Sequence, residues 1–137
     1  MTIAHEKLNF YLTILFVDDL PEAVRFYDEA FGWEKKADFP IYVSYDTGRG
    51  LGISLYDREA CAMNLGRTPT LTPRGEISGT ELYIQCADLE DAIQKVESAG
   101  GRLVSPLRER NWGDEVAYYA DPAGNVLALA RPLRSEG

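Results

Sequence analysis

Two stretches of this chain match each other across half its length, and that duplication limits the possible folds more than any other feature. "DLPEAVRFYDEAFG" (19–32) aligns with "DLEDAIQKVESAGG" (88–101) at an offset of 69 residues. Asp19 falls on Asp88, Leu20 on Leu89, Ala23 on Ala92, Val24 on Ile93, Ala30 on Ala99 and Gly32 on Gly101. Both stretches carry apolar residues at helical spacing: Leu20, Ala23, Val24, Tyr27, Ala30 and Phe31 in the first, and Leu89, Ala92, Ile93, Val96 and Ala99 in the second. Each opens on an aspartate with an acidic residue three positions on, Glu22 or Asp91, and each closes near glycine. Those are the signatures of a capped helix start and a left-handed helix end.

The flanks repeat as well. "FYLTILFV" precedes the first helix and "TELYIQCA" the second, and each reads as a strand. In the latter, Leu82, Ile84 and Cys86 alternate with Glu81, Tyr83 and Gln85. Three strand-like runs follow each helix, near 33–38, 41–46 and 50–57, then near 101–108, 114–120 and 125–132. "YDTGRGLGISL" (45–55) aligns with "YADPAGNVLAL" (119–129) at an offset of 74, so the second half gains 74 − 69 = 5 residues, placed within 106–115. The pattern predicts an α+β fold of two tandem βαβββ modules, about 8–57 and 79–132, within one domain spanning 1–137. Residues 58–78 form the linker, which holds two Pro and two Gly and has room for a short helix near 59–65. The expected core comprises Leu15, Val17, Val24, Leu55, Leu82, Ile84, Ile93, Val96, Leu127 and Leu129. The middle-strand tyrosines Tyr42, Tyr45, Tyr118 and Tyr119 cannot be assigned to a face, because neither strand alternates cleanly.

At 137 residues the chain suits one shared core. Its net charge of −8 argues against nucleic acid and anionic membrane surfaces as partners; it favours solubility and, secondarily, cationic ligands. No apolar run is long enough for a membrane helix, and the N-terminus lacks a basic region followed by an apolar stretch. Cys61 and Cys86 form no metal-type pair, so the expectation is a cytoplasmic protein with both thiols reduced. His5, the one histidine, stands in the N-terminal arm and reads as a solvated tail residue. A core without histidine disfavours Ser–His and Cys–His nucleophilic sites. Cys86 reads as a small buried apolar residue and Cys61 as a linker thiol without an activating partner.

The duplicated module, the "VDDLPEAVRFYDEAFG" helix entry and the "DPAGN" turn together resemble the vicinal oxygen chelate superfamily. That group includes glyoxalase I, extradiol dioxygenases, and fosfomycin- and bleomycin-resistance proteins. The resemblance covers residues 10 to 132. It implies two curled four-stranded sheets around a groove, helices outside, and usually a dimer. It also implies where a metal would sit, on the first and last strand of each module. The repeat carries those positions to Leu12, Ser54, Glu81 and Ala128. Of these only Glu81 is a good ligand, and one carboxylate does not hold a catalytic metal. The expectation is therefore no metal, no cofactor and no catalytic residue. The closest likeness is to metal-free binding proteins of the bleomycin-resistance type, in which a "WG" pair like Trp112-Gly113 precedes the same strand and turn.

Alternation then places Leu12, Ile14 and Phe16, Gly52, Ser54 and Tyr56, Glu81, Tyr83 and Gln85, and Val126, Ala128 and Ala130 on the groove side. Such a groove is mostly apolar and aromatic with one acid. It suits a small organic ligand, aromatic or cationic, gripped by Leu12, Phe16, Tyr56, Glu81, Tyr83 and Trp112. The expected function is metal-free binding of such a molecule by a homodimer, as in sequestration of an antibiotic. The alternatives are a superfamily enzyme (lyase, isomerase or dioxygenase) with an atypical site, or a structural or regulatory dimer.

Overall fold

The computed structural model describes residues 7–133; His5 lies outside them. The first module runs β1 (Thr13–Val17), α1 (Leu20–Ala30), β2 (Glu34–Phe39), β3 (Tyr42–Gly48) and β4 (Leu51–Asp57). A short helix α2 (Arg58–Leu65) opens the linker. The second module runs β5 (Glu81–Gln85), α3 (Leu89–Ser98), β6 (Arg102–Glu109), β7 (Asp114–Ala120) and β8 (Val126–Pro132). The strands form two four-stranded mixed sheets with the orders β1-β4-β3-β2 and β5-β8-β7-β6. In each, the first strand pairs parallel to the last and the other contacts are antiparallel.

The local chemistry repeats with the topology. Asp19 caps α1 by accepting the Glu22 amide at 3.1 Å, and Asp88 caps α3 by accepting the Asp91 amide at 3.1 Å. Tyr45 on β3 donates its hydroxyl to Asp28 of α1 at 2.9 Å, and Tyr119 on β7 donates to Glu97 of α3. Residues 45 and 119 differ by 74 and residues 28 and 97 by 69, the same two offsets that relate the halves. The additional residues lengthen the β6–β7 hairpin: β6 carries two register shifts against one in β2, and residues 110–113 connect β6 to β7 where residues 40–41 suffice between β2 and β3.

The two helices pack on one another, and the helix-facing sides of both sheets join them in one core: Leu15, Val17, Tyr45 and Leu55 from the first module, Tyr119, Leu127 and Leu129 from the second. Each helix therefore lies between a sheet and its counterpart. This widens the buried stripe of α1 to include Phe26, which the sequence period leaves out. Val24, Leu82, Ile84 and Ile93, expected in the core, are half-buried against it. β5 is a sheet edge, so Leu82 and Ile84 keep one flank open.

The "DPAGN" turn ties the modules together. Asp121 takes the amides of Ala123 and Asn125 on Oδ1 at 2.9 and 2.8 Å, and the Asn125 side chain on Oδ2 at 3.1 Å. Its Oδ2 also receives the Tyr27 hydroxyl of α1 at 2.6 Å, in a fully buried bond. The end of the linker joins the same turn: the Ser78 amide bonds the Gly124 carbonyl at 2.8 Å and the Ser78 hydroxyl bonds Asn125 at 2.9 Å. Cys61, a linker thiol on the sequence reading, sits at 1 % exposure in α2, where that reading has room for a short helix, and burial pushes its thiol pKa up.

Candidate functional site

Because the helix-facing sides share the core, the other face of each sheet points away from it. Those two concave faces carry the sequence-selected residues. On the first sheet Tyr42 stands opposite Tyr56, and Ser44 opposite Ser54. The Tyr42 and Tyr56 rings meet edge-on at 5.4 Å, and Phe16 meets Tyr56 at 6.3 Å. Tyr42 and the fully buried Ser54 share a hydroxyl–hydroxyl bond of 2.7 Å, and Asn64 of α2 donates to the Tyr56 hydroxyl at 2.9 Å. Leu12 lines a shallow cleft of about 220 Å³ with Tyr11, Lys36, Ser44 and Asp46. Phe16 lines another of about 210 Å³ with Ile14, Leu71, Thr80 and Asn125.

On the second sheet, Trp112 and Tyr83 come together. The Trp112 indole donates to the Tyr83 hydroxyl at 2.8 Å, and that hydroxyl donates in turn to the Asp114 carboxylate. Trp112 is 54 % exposed and Tyr83 42 %. Partial desolvation, with Asp114 beside it, raises the pKa of the Tyr83 hydroxyl, so it remains a donor at neutral pH. Glu81 lies two residues before Tyr83 on the same face of β5 and is exposed, with no hydrogen bond or ion pair among the described residues.

The interior of this second face differs from the sequence expectation. Alternation along β8 places Val126, Ala128 and Ala130 in the groove lining, but all three are buried. Ala128 and Ala130 form a small cluster with Val116 under Tyr118, and the Arg110 guanidinium stands 5.0 Å over the Tyr118 ring. Small side chains on β8 let these larger neighbours close over them. The four tyrosines divide by hairpin register: Tyr42 and Tyr118 face outward, while Tyr45 and Tyr119 face the helices. Tyr42, Asn64, Arg110 and Asp114 are the participants that the sequence reading missed. Tyr42 stands opposite Tyr56 only because the register shifts by one residue between Asp46 and Gly48, which alternation from the turn does not show.

The six selected residues thus fall into two sets, Leu12, Phe16 and Tyr56 on one sheet and Glu81, Tyr83 and Trp112 on the other. No hydrogen bond, ion pair or ring contact joins the sets among the described residues. The four positions that the superfamily resemblance assigns to metal ligands do not fit a metal. Leu12 and Ala128 have no donor atom, Ser54 spends its hydroxyl on Tyr42, and Glu81 stands alone.

Comparison with known proteins agrees with this architecture. An uncharacterized protein of Mycobacterium bovis, Mb0911c, is 29% identical over 126 residues, covering 88% of this chain and 81% of that protein. The structure of a glyoxalase-related enzyme from Fulvimarina pelagi superposes with a TM-score of 0.77 at 22% identity over 95% of each chain. A protein of unknown function from Agrobacterium tumefaciens superposes with a TM-score of 0.77 at 25% identity, over 92% of this chain and 95% of that one. The family model described as a glyoxalase-like domain matches residues 10–134, and the chain belongs to that family.

Proposed function

We propose that this protein is a metal-free binder of a small, flat organic molecule, held against Trp112 and Tyr83 on the second module. The observation that carries the reading is the Trp112–Tyr83–Asp114 chain: two exposed rings fixed to each other and to a carboxylate, on a face turned away from the protein's own core. Exposed aromatic rings that are already oriented lose little entropy when a ligand stacks on them. An indole-sized ring burying ~150–250 Å² gains about 4–6 kcal/mol before ordering costs. Glu81, on the same face of β5, orients a donor or cation on that ligand. The concave face of the first module, with Leu12, Phe16 and Tyr56, completes the groove from a second copy of the chain. Both faces point outward within one chain, and among the described residues β1 and β5 each leave a sheet edge unpaired, which supports a homodimer.

The test uses two compounds with the same indole ring, 3-methylindole, which is neutral, and tryptamine, whose aminoethyl group is cationic. The indole N–H resonance of Trp112, identified through Trp112→Phe, is followed by nuclear magnetic resonance during titration. Both compounds are expected to move it saturably. Glu81→Gln is expected to weaken tryptamine and spare 3-methylindole. If neither compound moves the Trp112 resonance, the binding reading is wrong; equal losses for both on Glu81→Gln remove the role given to Glu81.

A further inference from the structure

The β6–β7 connection that presents Trp112 also presents a cation. The Arg110 amide bonds the Asp114 carbonyl at 2.8 Å and closes the turn, and the Arg110 side chain folds back over the concave face. There it is clamped. Nε and Nη2 donate to the Val116 carbonyl at 3.3 and 2.8 Å, and Nη2 also reaches the Pro106 carbonyl at 2.8 Å and the Ser105 hydroxyl at 3.3 Å. The Tyr118 ring lies under the guanidinium. All of these partners are neutral. Among the described residues no carboxylate pairs with Arg110, and its Nη1 donates to nothing. In a chain of net charge −8, this leaves a half-buried cation with one edge of its planar fork fixed in direction and unspent.

We propose that Nη1 of Arg110 is an anion subsite of the second module's concave face, and that the ligand is a flat aromatic ring bearing a carboxylate. The inference rests on the binding reading above and extends it. The ring lies on Trp112 and Tyr83, the carboxylate meets Arg110, and any basic group on the ligand points to Glu81. A guanidinium anchored through its other nitrogens has little rotamer freedom left to lose when it binds an anion. Its neutral partners neutralise none of its charge, and the Tyr118 ring limits solvent on one side.

The experiment compares indole-3-propionate with 3-methylindole, again at the Trp112 indole resonance. The unmodified protein is expected to bind the propionate about tenfold more tightly, as a charge-assisted hydrogen bond in a half-buried setting implies. Raising the salt concentration should shrink that ratio. Arg110→Gln should abolish it while 3-methylindole binding persists, which also shows that the turn still presents Trp112. Equal affinities in the unmodified protein, or a preference that survives Arg110→Gln, would overturn the assignment to Arg110 and leave the binding reading standing. Failure of both compounds to bind would overturn the binding reading, and this inference with it.

Discussion

Tyr27→Phe removes one hydroxyl from the centre of the molecule and nothing else. Tyr27 is 0 % exposed and Asp121 5 %. Their 2.6 Å bond joins α1 to the turn before β8, across 94 residues of sequence. The substitution leaves the Asp121 carboxylate with three donors, from Ala123 and Asn125, in a site where water cannot replace the fourth. A buried hydrogen bond to a charged group contributes about 1.5–3 kcal/mol, so the expected loss is about 2 kcal/mol. With an unfolding entropy of ~2 cal/mol/K per residue, a chain of this length should lose about 7 °C in Tm. Tyr45→Phe is the control: its partner Asp28 is open to solvent, which offers a replacement, so the loss should be under half as large. Burial raises the pKa of Asp121 despite its donors. A carboxylate whose folded pKa lies above its unfolded one adds stability below the unfolded pKa and loses it as pH rises through the folded one. Removing a donor raises the folded pKa further, so the Tyr27→Phe penalty should be smaller at pH 4 than at pH 7.5. Chemical denaturation at both pH values measures this. A loss below ~0.5 kcal/mol at pH 7.5, or a penalty that grows on acidification, would refute the reasoning.

Gly124 has φ +90, and a Cβ there would stand 2.5 Å from the Glu76 carbonyl oxygen, whereas Gly113 has φ +97 in open space. Gly124→Ala should therefore cost clearly more stability than Gly113→Ala, whose penalty is about 1 kcal/mol of backbone strain; equal melting shifts would contradict this. Burial raises the thiol pKa of both Cys61 and Cys86, so neither should react rapidly with a disulfide reagent at pH 7.5, and both should react once guanidinium unfolds the chain. Titration with zinc, nickel or manganese should leave the melting temperature unchanged, because Leu12, Ser54 and Ala128 offer no ligand set around Glu81; a saturable rise would reverse that reading.

The module repeat, the helix caps and the succession of elements along the chain were legible because each is written in local sequence pattern. Leu82, Ile84 and Cys86 face the helix as their alternation requires, and Asp19 and Asp88 cap as their position predicts. The tyrosine faces were not legible. Bulges in β6 and a register shift between Asp46 and Gly48 break the alternation from which a face is read. Nor was the back-to-back helix arrangement, since an apolar stripe does not say whether a sheet alone or a sheet and a second helix will cover it. The Trp112–Tyr83 contact was half visible: both residues were selected, but their bond and the Asp114 that completes it depend on β8 lying between β5 and β7, so that the β6–β7 turn meets β5 across it. Arg110 was not selected, because its folding back over Tyr118 is a tertiary event that no local pattern announces.

The helices lodged between the two sheets also affect how the chain leaves the ribosome. All five elements of the first module are synthesised by Asp57, yet Leu20, Phe26 and Tyr27 on α1 belong to a core whose other half is not translated until Pro132. The intervening 132 − 57 = 75 residues take about 4–15 s at ordinary elongation rates. During that interval the nascent first half carries an uncovered apolar surface, a natural target for holding chaperones and for premature association between neighbouring ribosomes on one message.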